Sequence, residues 1–182
     1  EITQAIFAAG ADELTIHART KADGYQPPAY WDAIADIQAN SPIPIIANGE
    51  IWSVQDAHAC RMQSGCDDVM LGRGLLSCPD LARQLKFPDI RILSWMDVVD
   101  LLSQFNVITK SDYENKYAGN RLKQWLGYLR RQYPQATVLF EAIKRLKCPQ
   151  QISQTIAAHQ ADSAQIHCAL RSAEAIDSFL TD

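Results

Sequence analysis

Two apolar runs that each break off at glycine constrain this chain most: Ile43-Pro44-Ile45-Ile46-Ala47-Asn48-Gly49-Glu50-Ile51 and Val69-Met70-Leu71-Gly72-Arg73-Gly74. A short, unbroken apolar run bounded by proline and glycine reads as a strand buried on both faces, the kind found in parallel sheets. Parallel neighbours need a helical crossover. Residues 53–62 offer one, with Val54, Ala57 and Met62 as its apolar positions and Gly65 as its carboxyl-terminal cap. Where a strand ends in glycine, main-chain N–H groups can reach an anion with no Cβ in the way, and a following helix adds roughly half a positive charge. Arg73 would add a guanidinium fork. Taken singly, each motif is better read as an ordinary turn with a solvated arginine.

The units repeat. Gly10-Ala11-Asp12-Glu13-Leu14-Thr15-Ile16-His17-Ala18-Arg19 matches Gly65-Cys66-Asp67-Asp68-Val69-Met70-Leu71-Gly72-Arg73-Gly74 by residue type at an offset of 55, with the Asn48-Gly49 strand between them. Each copy caps a helix with glycine, turns through aspartate, enters an apolar strand and carries an arginine just beyond it. Three strands separated by helix-length segments fit a (β/α)8 barrel, whose strand carboxyl ends all open on one mouth. His17, Asn48, Gly49, Gly72 and Arg73 would converge there. A complete barrel takes about 250 residues, whereas this chain has 182. Three parallel strands alone would leave two edges and a face uncovered. The expected fold class is thus α/β plus all-α: about three βα units from the carboxyl-terminal part of a barrel, followed by a helical domain. The sequence is expected to be the carboxyl-terminal part of a longer protein.

The change of character falls near Phe87-Pro88-Asp89. Beyond it, Trp95, Val98, Val99, Leu102 and Phe105 form one helical stripe and Leu122, Trp125, Leu126 and Leu129 another, with Ser94 as the first N-cap. The expected domains are residues 1–87, a partial barrel, and 93–182, a helical domain. Its tail after Pro149 reads as one or two weaker helices.

Between Gly119 and Lys147 stand seven basic residues and one acid, a local charge of +6 in a chain whose total is −4. A basic helical face on an acidic protein suits a polyanion, because each phosphate neutralised releases counterions. Tyr128 and Tyr133 lie among the cations, and aromatic rings stack on unpaired bases. A solvated helix face fits the same pattern.

The five cysteines show no C-x-x-C spacing, which points away from a zinc site or a disulfide framework and toward a reducing, cytoplasmic setting. No run approaches the roughly 20 apolar residues of a membrane span. His58, His159 and His167 have no partner at metal-ligand spacing, so no metal is expected. Trp52 and Trp125 read as packing residues, Asp67 and Asp68 as strand-orienting ones. Glu50 could bond a ligand or merely cap the helix after it.

Three ordered motifs, His17-Ala18-Arg19-Thr20-Lys21-Ala22-Asp23-Gly24-Tyr25, Ile43 to Ile51, and Asp68 to Gly74, resemble the flavin-dependent tRNA-dihydrouridine synthases. The helical segment Arg121-Leu122-Lys123-Gln124-Trp125-Leu126-Gly127-Tyr128-Leu129-Arg130 looks like the DusC branch, associated with position 16 of tRNA. The resemblance runs from Ala8 to about His159. It implies reduction of a D-loop uridine to 5,6-dihydrouridine, with FMN held at a barrel mouth, NADPH as reductant and tRNA gripped by the helical domain. The matching flavin positions are His17 beside the ring, Asn48, Gly49 and Glu50, then Gly72 and Arg73 at the phosphate. The matching tRNA positions are Tyr25, Arg121, Lys123, Tyr128 and Lys144, the last a departure from arginine. The family's acid cysteine and ring-binding lysine match nothing here and are expected upstream, which implies an inactive piece of a monomeric enzyme. Two alternatives stay open: another FMN or phosphate-binding barrel enzyme acting on a small molecule, and a noncatalytic tRNA-binding fragment.

Overall fold

The computed structural model describes residues 2–24, 26–112 and 117–161. Its contacts divide the chain into two compact units, Glu1–Ile92 and Leu93–Asp182.

The first unit is built on three strands, β1 (Leu14–His17), β2 (Ile45–Asn48) and β3 (Asp68–Met70), all parallel and in the spatial order β1-β2-β3. Around them run α1 (Ile2–Ala8), α2 (Asp32–Ala39), α3 (Val54–Ser64), α4 (Arg73–Ser77) and α5 (Leu81–Lys86). His17 pairs in register with Asn48, and Asn48 with Met70, so the three strands finish along one edge. Period-two alternation sorts their side chains into two faces. Leu14, Ile16, Ile45, Ala47 and Val69 join Ile34 and Ile37 of α2 and Ala57 and Cys60 of α3 in one core. On the other face Thr15, His17, Asp68 and Met70 are exposed, with Ile46 and Asn48 half-buried. Helices on one face of a parallel sheet give the layering of a barrel wall.

The crossover helix begins and ends where its sequence signals stand. Ser53 Oγ accepts the Asp56 N–H at 3.1 Å, and the Asp56 carboxylate accepts the Trp52 N–H at 3.0 Å, so two orphan donors are satisfied reciprocally. Gly65 closes α3 with φ 69° and its N–H on the Arg61 carbonyl at 2.9 Å. One expected core position is corrected. Met62 is 85% exposed, and the buried side chains of α3 are Ala57, Cys60 and Ser64. At about 100° per residue, Met62 stands on the far side of the helix from Cys60. Since Ser53 and Asp56 cap this helix, Glu50 does not.

In the second unit every regular element among the described residues is helical: α6 (Trp95–Asp112), α7 (Ala118–Leu129), α8 (Gln135–Ile143) and α9 (149–161). Ser94 caps α6 through a two-way exchange with Asp97: Ser94 N–H and Oγ donate to the carboxylate, and Asp97 N–H donates back at 3.3 Å. The core joins Val98, Val99 and Leu102 of α6, Leu122, Leu126 and Leu129 of α7, Ala136, Leu139 and Ile143 of α8, and Ile152 and Ile156 of α9. Trp125 packs edge-on against Phe105, ring centroids 5.1 Å apart. Trp95 donates its indole N–H to His159 Nε2 at 3.0 Å. No helix among the described residues is long and apolar enough to cross a membrane.

Candidate functional site

The strand-end edge gathers its chemistry around Glu50, the second residue past β2. Its backbone is left-handed, φ 54°, after Gly49 at φ 124°. A non-glycine residue there costs roughly 1–2 kcal/mol, so neighbouring contacts must hold it. The Trp31 indole N–H donates to the Gly49 carbonyl at 2.8 Å, and Ala18 N–H to the Asn48 carbonyl at 2.7 Å. Trp52 Nε1 donates to Glu50 Oε1 at 2.6 Å. Arg19 Nη2 donates to Glu50 Oε2, and Arg19 Nε to the Pro28 carbonyl at 3.0 Å.

Arg73, at the start of α4, approaches the same carboxylate at 4.0 Å and lies 5.3 Å from the Trp52 ring centroid. The two arginines that follow the outer strands thus meet one acid from the middle strand. Their exposure separates them: the Arg19 side chain is 0% exposed and the Arg73 side chain 39%. Burial pushes the Glu50 carboxyl upward, but hydrogen bonds from Arg19 and Trp52, with the charges of Arg19 and Arg73, outweigh it and hold the group below its ordinary value. Two guanidiniums against one carboxylate leave the rim net positive, with Arg73 the cation that reaches solvent.

Glycine shapes the floor of this edge. A Cβ added at Gly74 would sit 2.1 Å from the Ile51 carbonyl oxygen, so α4 can lie against the chain leaving β2 only because that Cβ is missing. Next to it, Gly72 has open space where a Cβ would point. Asn48 spans the strands, its Nδ2 donating to the Met70 carbonyl at 2.8 Å with Met70 Sδ at 3.2 Å. His17 is exposed at the end of β1. All six residues anticipated at the flavin, His17, Asn48, Gly49, Glu50, Gly72 and Arg73, therefore lie at or just past the aligned strand ends. Beside the open space at Gly72, the partly exposed Arg73 guanidinium is a group suited to an oxyanion such as a phosphate monoester.

Arg19, Trp31 and Trp52 were assigned no site role from the sequence. Position was the available signal for Arg19, an arginine two residues beyond a strand whose counterpart was already singled out. Burial raises the Cys60 thiol to about 11, and burial with the Asp80 charge raises Cys78 to about 11.

The helical unit carries the other candidates. Arg121 is exposed and bonds Gln124 at 3.3 Å; Tyr128, two turns on, is half-buried. Lys144 is exposed and pairs with Glu141 on its own helix. Lys123 is half-buried, and its ammonium donates to the Leu146 carbonyl at 2.6 Å, which brings the start of α7 beside the segment after α8. Arg130 lies over the Phe140 ring at 4.5 Å. Tyr25 lies outside the described residues. Among the described residues no group of three or more His, Cys, Asp or Glu could hold a metal ion.

A three-stranded parallel sheet with its strand ends gathered on one edge and helices packed against it defines a βα protein with a cationic strand-end rim. The family follows from comparison with known proteins. Residues 1–166 match the model described as dihydrouridine synthase (Dus), and the chain belongs to that family. It is 45% identical over 148 residues to the tRNA-dihydrouridine(16) synthase of Shewanella oneidensis, covering 81% of this chain and 47% of that protein. The Yersinia pestis protein of the same name is 46% identical over 157 residues, 86% of this chain and 50% of that one. For Escherichia coli (strain K12) the figures are 44% over 159 residues, 87% and 50%. The chain spans about half the length of these curated relatives.

Proposed function

We propose that this chain supplies the flavin-phosphate rim and the tRNA-binding helices of a tRNA-dihydrouridine synthase that reduces a D-loop uridine, position 16, with FMN as prosthetic group and NADPH as reductant. The observation that carries the reading is the meeting of Arg19, Glu50 and Arg73 at aligned parallel strand ends in a chain whose relatives are named tRNA-dihydrouridine(16) synthases.

In this reading Gly72 and Arg73 hold the phosphate, main-chain groups of Gly49 and Glu50 with the Asn48 amide line the prosthetic group, and His17 stands beside its ring. When bound, FMN supplies the hydride chemistry and NADPH restores it. Arg73 is oriented by Glu50 and Trp52 before any ligand arrives, which lowers the ordering cost of binding. Arg121, Lys123, Tyr128 and Lys144 meet the tRNA backbone and an unstacked base, joined by Tyr25. Residues 1–87 form part of a barrel wall and 93–182 the tRNA-binding domain of a monomeric, cytoplasmic enzyme. The uridine proton donor lies outside this chain's strand ends.

Mass analysis of D-loop fragments from cells lacking the gene, and from cells with it restored, tests the reading. Restoration is expected to add two hydrogens at position 16; no gain there overturns the assignment. In the complete protein, Arg73→Ala is expected to strip FMN while leaving tRNA affinity within about twofold, and Lys123→Ala to do the reverse. Lys123→Ala should flatten the dependence of log affinity on log salt by about 1, and unpairing the Leu146 carbonyl adds a stability loss of about 1 kcal/mol. Flavin absorbance after purification, tRNA titration at two salt concentrations and a thermal melt check these outcomes. Equal losses of both ligands in either variant would contradict the division.

A further inference from the structure

Arg19 is the most deeply buried charged side chain of the strand-end cluster, yet it has no surface from which to touch a ligand. Its side chain is 0% exposed, and three of its features bear on the rim. Its Nε donates to the Pro28 carbonyl at 3.0 Å, which fixes the segment after β1. Its Nη2 donates to the Glu50 carboxylate, which stands on a left-handed residue, φ 54°, that nothing in its own sequence favours. Its Nη1 is buried with no hydrogen-bond partner among the described residues, so the guanidinium is held by its Nε and Nη2 contacts alone.

We infer that Arg19 is a positioning residue of the anion-binding rim: its buried guanidinium locks the Glu50 carboxylate and the left-handed Gly49–Glu50 turn, and through them sets where Arg73 stands. The inference rests on the cofactor reading above for the ligand, but not for the geometry. The logic is one of order. Glu50 has two carboxylate oxygens. Arg19 takes Oε2, which leaves Oε1 facing Trp52 at 2.6 Å and Arg73 at 4.0 Å. Trp52 in turn lies against Arg73, 5.3 Å from ring centroid to guanidinium carbon. Without Arg19 the carboxylate would be drawn onto Arg73, the more exposed of its two guanidinium partners, and would compete there with an incoming phosphate. Lysine cannot replace the fork, because its single ammonium would have to serve the Pro28 carbonyl and the Glu50 carboxylate from one point.

The test uses the complete protein carrying Arg19→Met, Arg19→Lys, or Arg19→Met with Glu50→Gln. FMN affinity is read by quenching of flavin fluorescence, well below the melting temperature of each variant. The near-ultraviolet circular dichroism that vanishes in Trp52→Phe is read without ligand. Arg19→Met is expected to weaken FMN binding about tenfold to a hundredfold, by analogy with the loss when the outer partner of a metal ligand is removed, and to alter the Trp52 signal. Arg19→Lys should fall in between, and the double variant should regain part of the lost affinity because no bare carboxylate remains to compete. A purely structural role would lower the melting temperature and leave the affinity of the folded protein unchanged. Affinity within twofold of the parent in Arg19→Met, or no recovery in the double variant, overturns the inference. Should the parent protein bind no FMN, the cofactor reading fails, and the Trp52 signal decides alone: altered in both Arg19 variants it supports the positioning role, unaltered it overturns it.

Discussion

Gly74→Ala is expected to be among the most damaging single-atom changes in the first unit. The added Cβ would fall 2.1 Å from the Ile51 carbonyl oxygen and 3.4 Å from Leu81 Cδ2. The nearer atom is backbone, so no side-chain rotation relieves the overlap. Either α4 moves off the chain that leaves β2, or that chain distorts beside the left-handed Glu50. Overpacking of this kind costs about 3 kcal/mol, a fall in Tm of roughly 6–12 °C. Arg73 precedes the altered residue, so loss of FMN should accompany the loss of stability. A thermal melt and the flavin absorbance of the purified complete protein measure both. Parent-like values for both would mean that the Ile51 carbonyl does not press on Gly74.

Glu50→Ala follows close behind, for an electrostatic reason. Arg19 has a side chain 0% exposed, and removal of its carboxylate partner leaves a buried cation uncompensated. Breaking such a pair costs about 3–5 kcal/mol, and Glu50→Gln should cost less because an oxygen still accepts from Arg19. The acid dependence has a definite sign. The Glu50 carboxyl is held below its ordinary value of 4.5 in the folded protein, so the folded state prefers the ionised form. Its contribution is complete above pH 4.5 and fades as the pH falls through the lowered folded value. The stability difference between the parent and Glu50→Gln should therefore be flat above that pH and shrink on further acidification. Denaturant unfolding at a series of acid pH values measures it, and a difference that grows on acidification would refute the pairing.

Local chemistry made much of the molecule legible beforehand. The β2 strand, the Ser94 cap and the Gly65 terminus are decided within a few residues, and each stands where spacing and side-chain type put it. The two helical stripes containing Val98, Leu102, Leu122 and Leu126 are likewise a matter of period. Met62 misled because an apolar side chain near the end of a short helix counts toward a face only if the 100° turn brings it round. Position marks Arg19, but neither its partners nor those of Trp52 can be read from the sequence. Their partners are set by the approach of β1 to β2 across 31 residues and by a left-handed turn at Glu50, a residue type that gives no sign of one. Lys123 carried a mixed message: its charge is visible in the sequence, while its bond to the Leu146 carbonyl depends on how α7 and α8 fold back on each other.

The parallel register of the sheet also dictates a timetable. Arg19 and Glu50 are 31 residues apart and Asn48 and Met70 22, so the cross-strand contacts of the rim cannot form until long loops have closed. The α7 and α8 hairpin, by contrast, is joined by a short turn and makes near-neighbour contacts. On dilution from denaturant the α7 and α8 hairpin should form before the cross-strand contacts, and competence to capture a prosthetic group should follow only once those contacts are made.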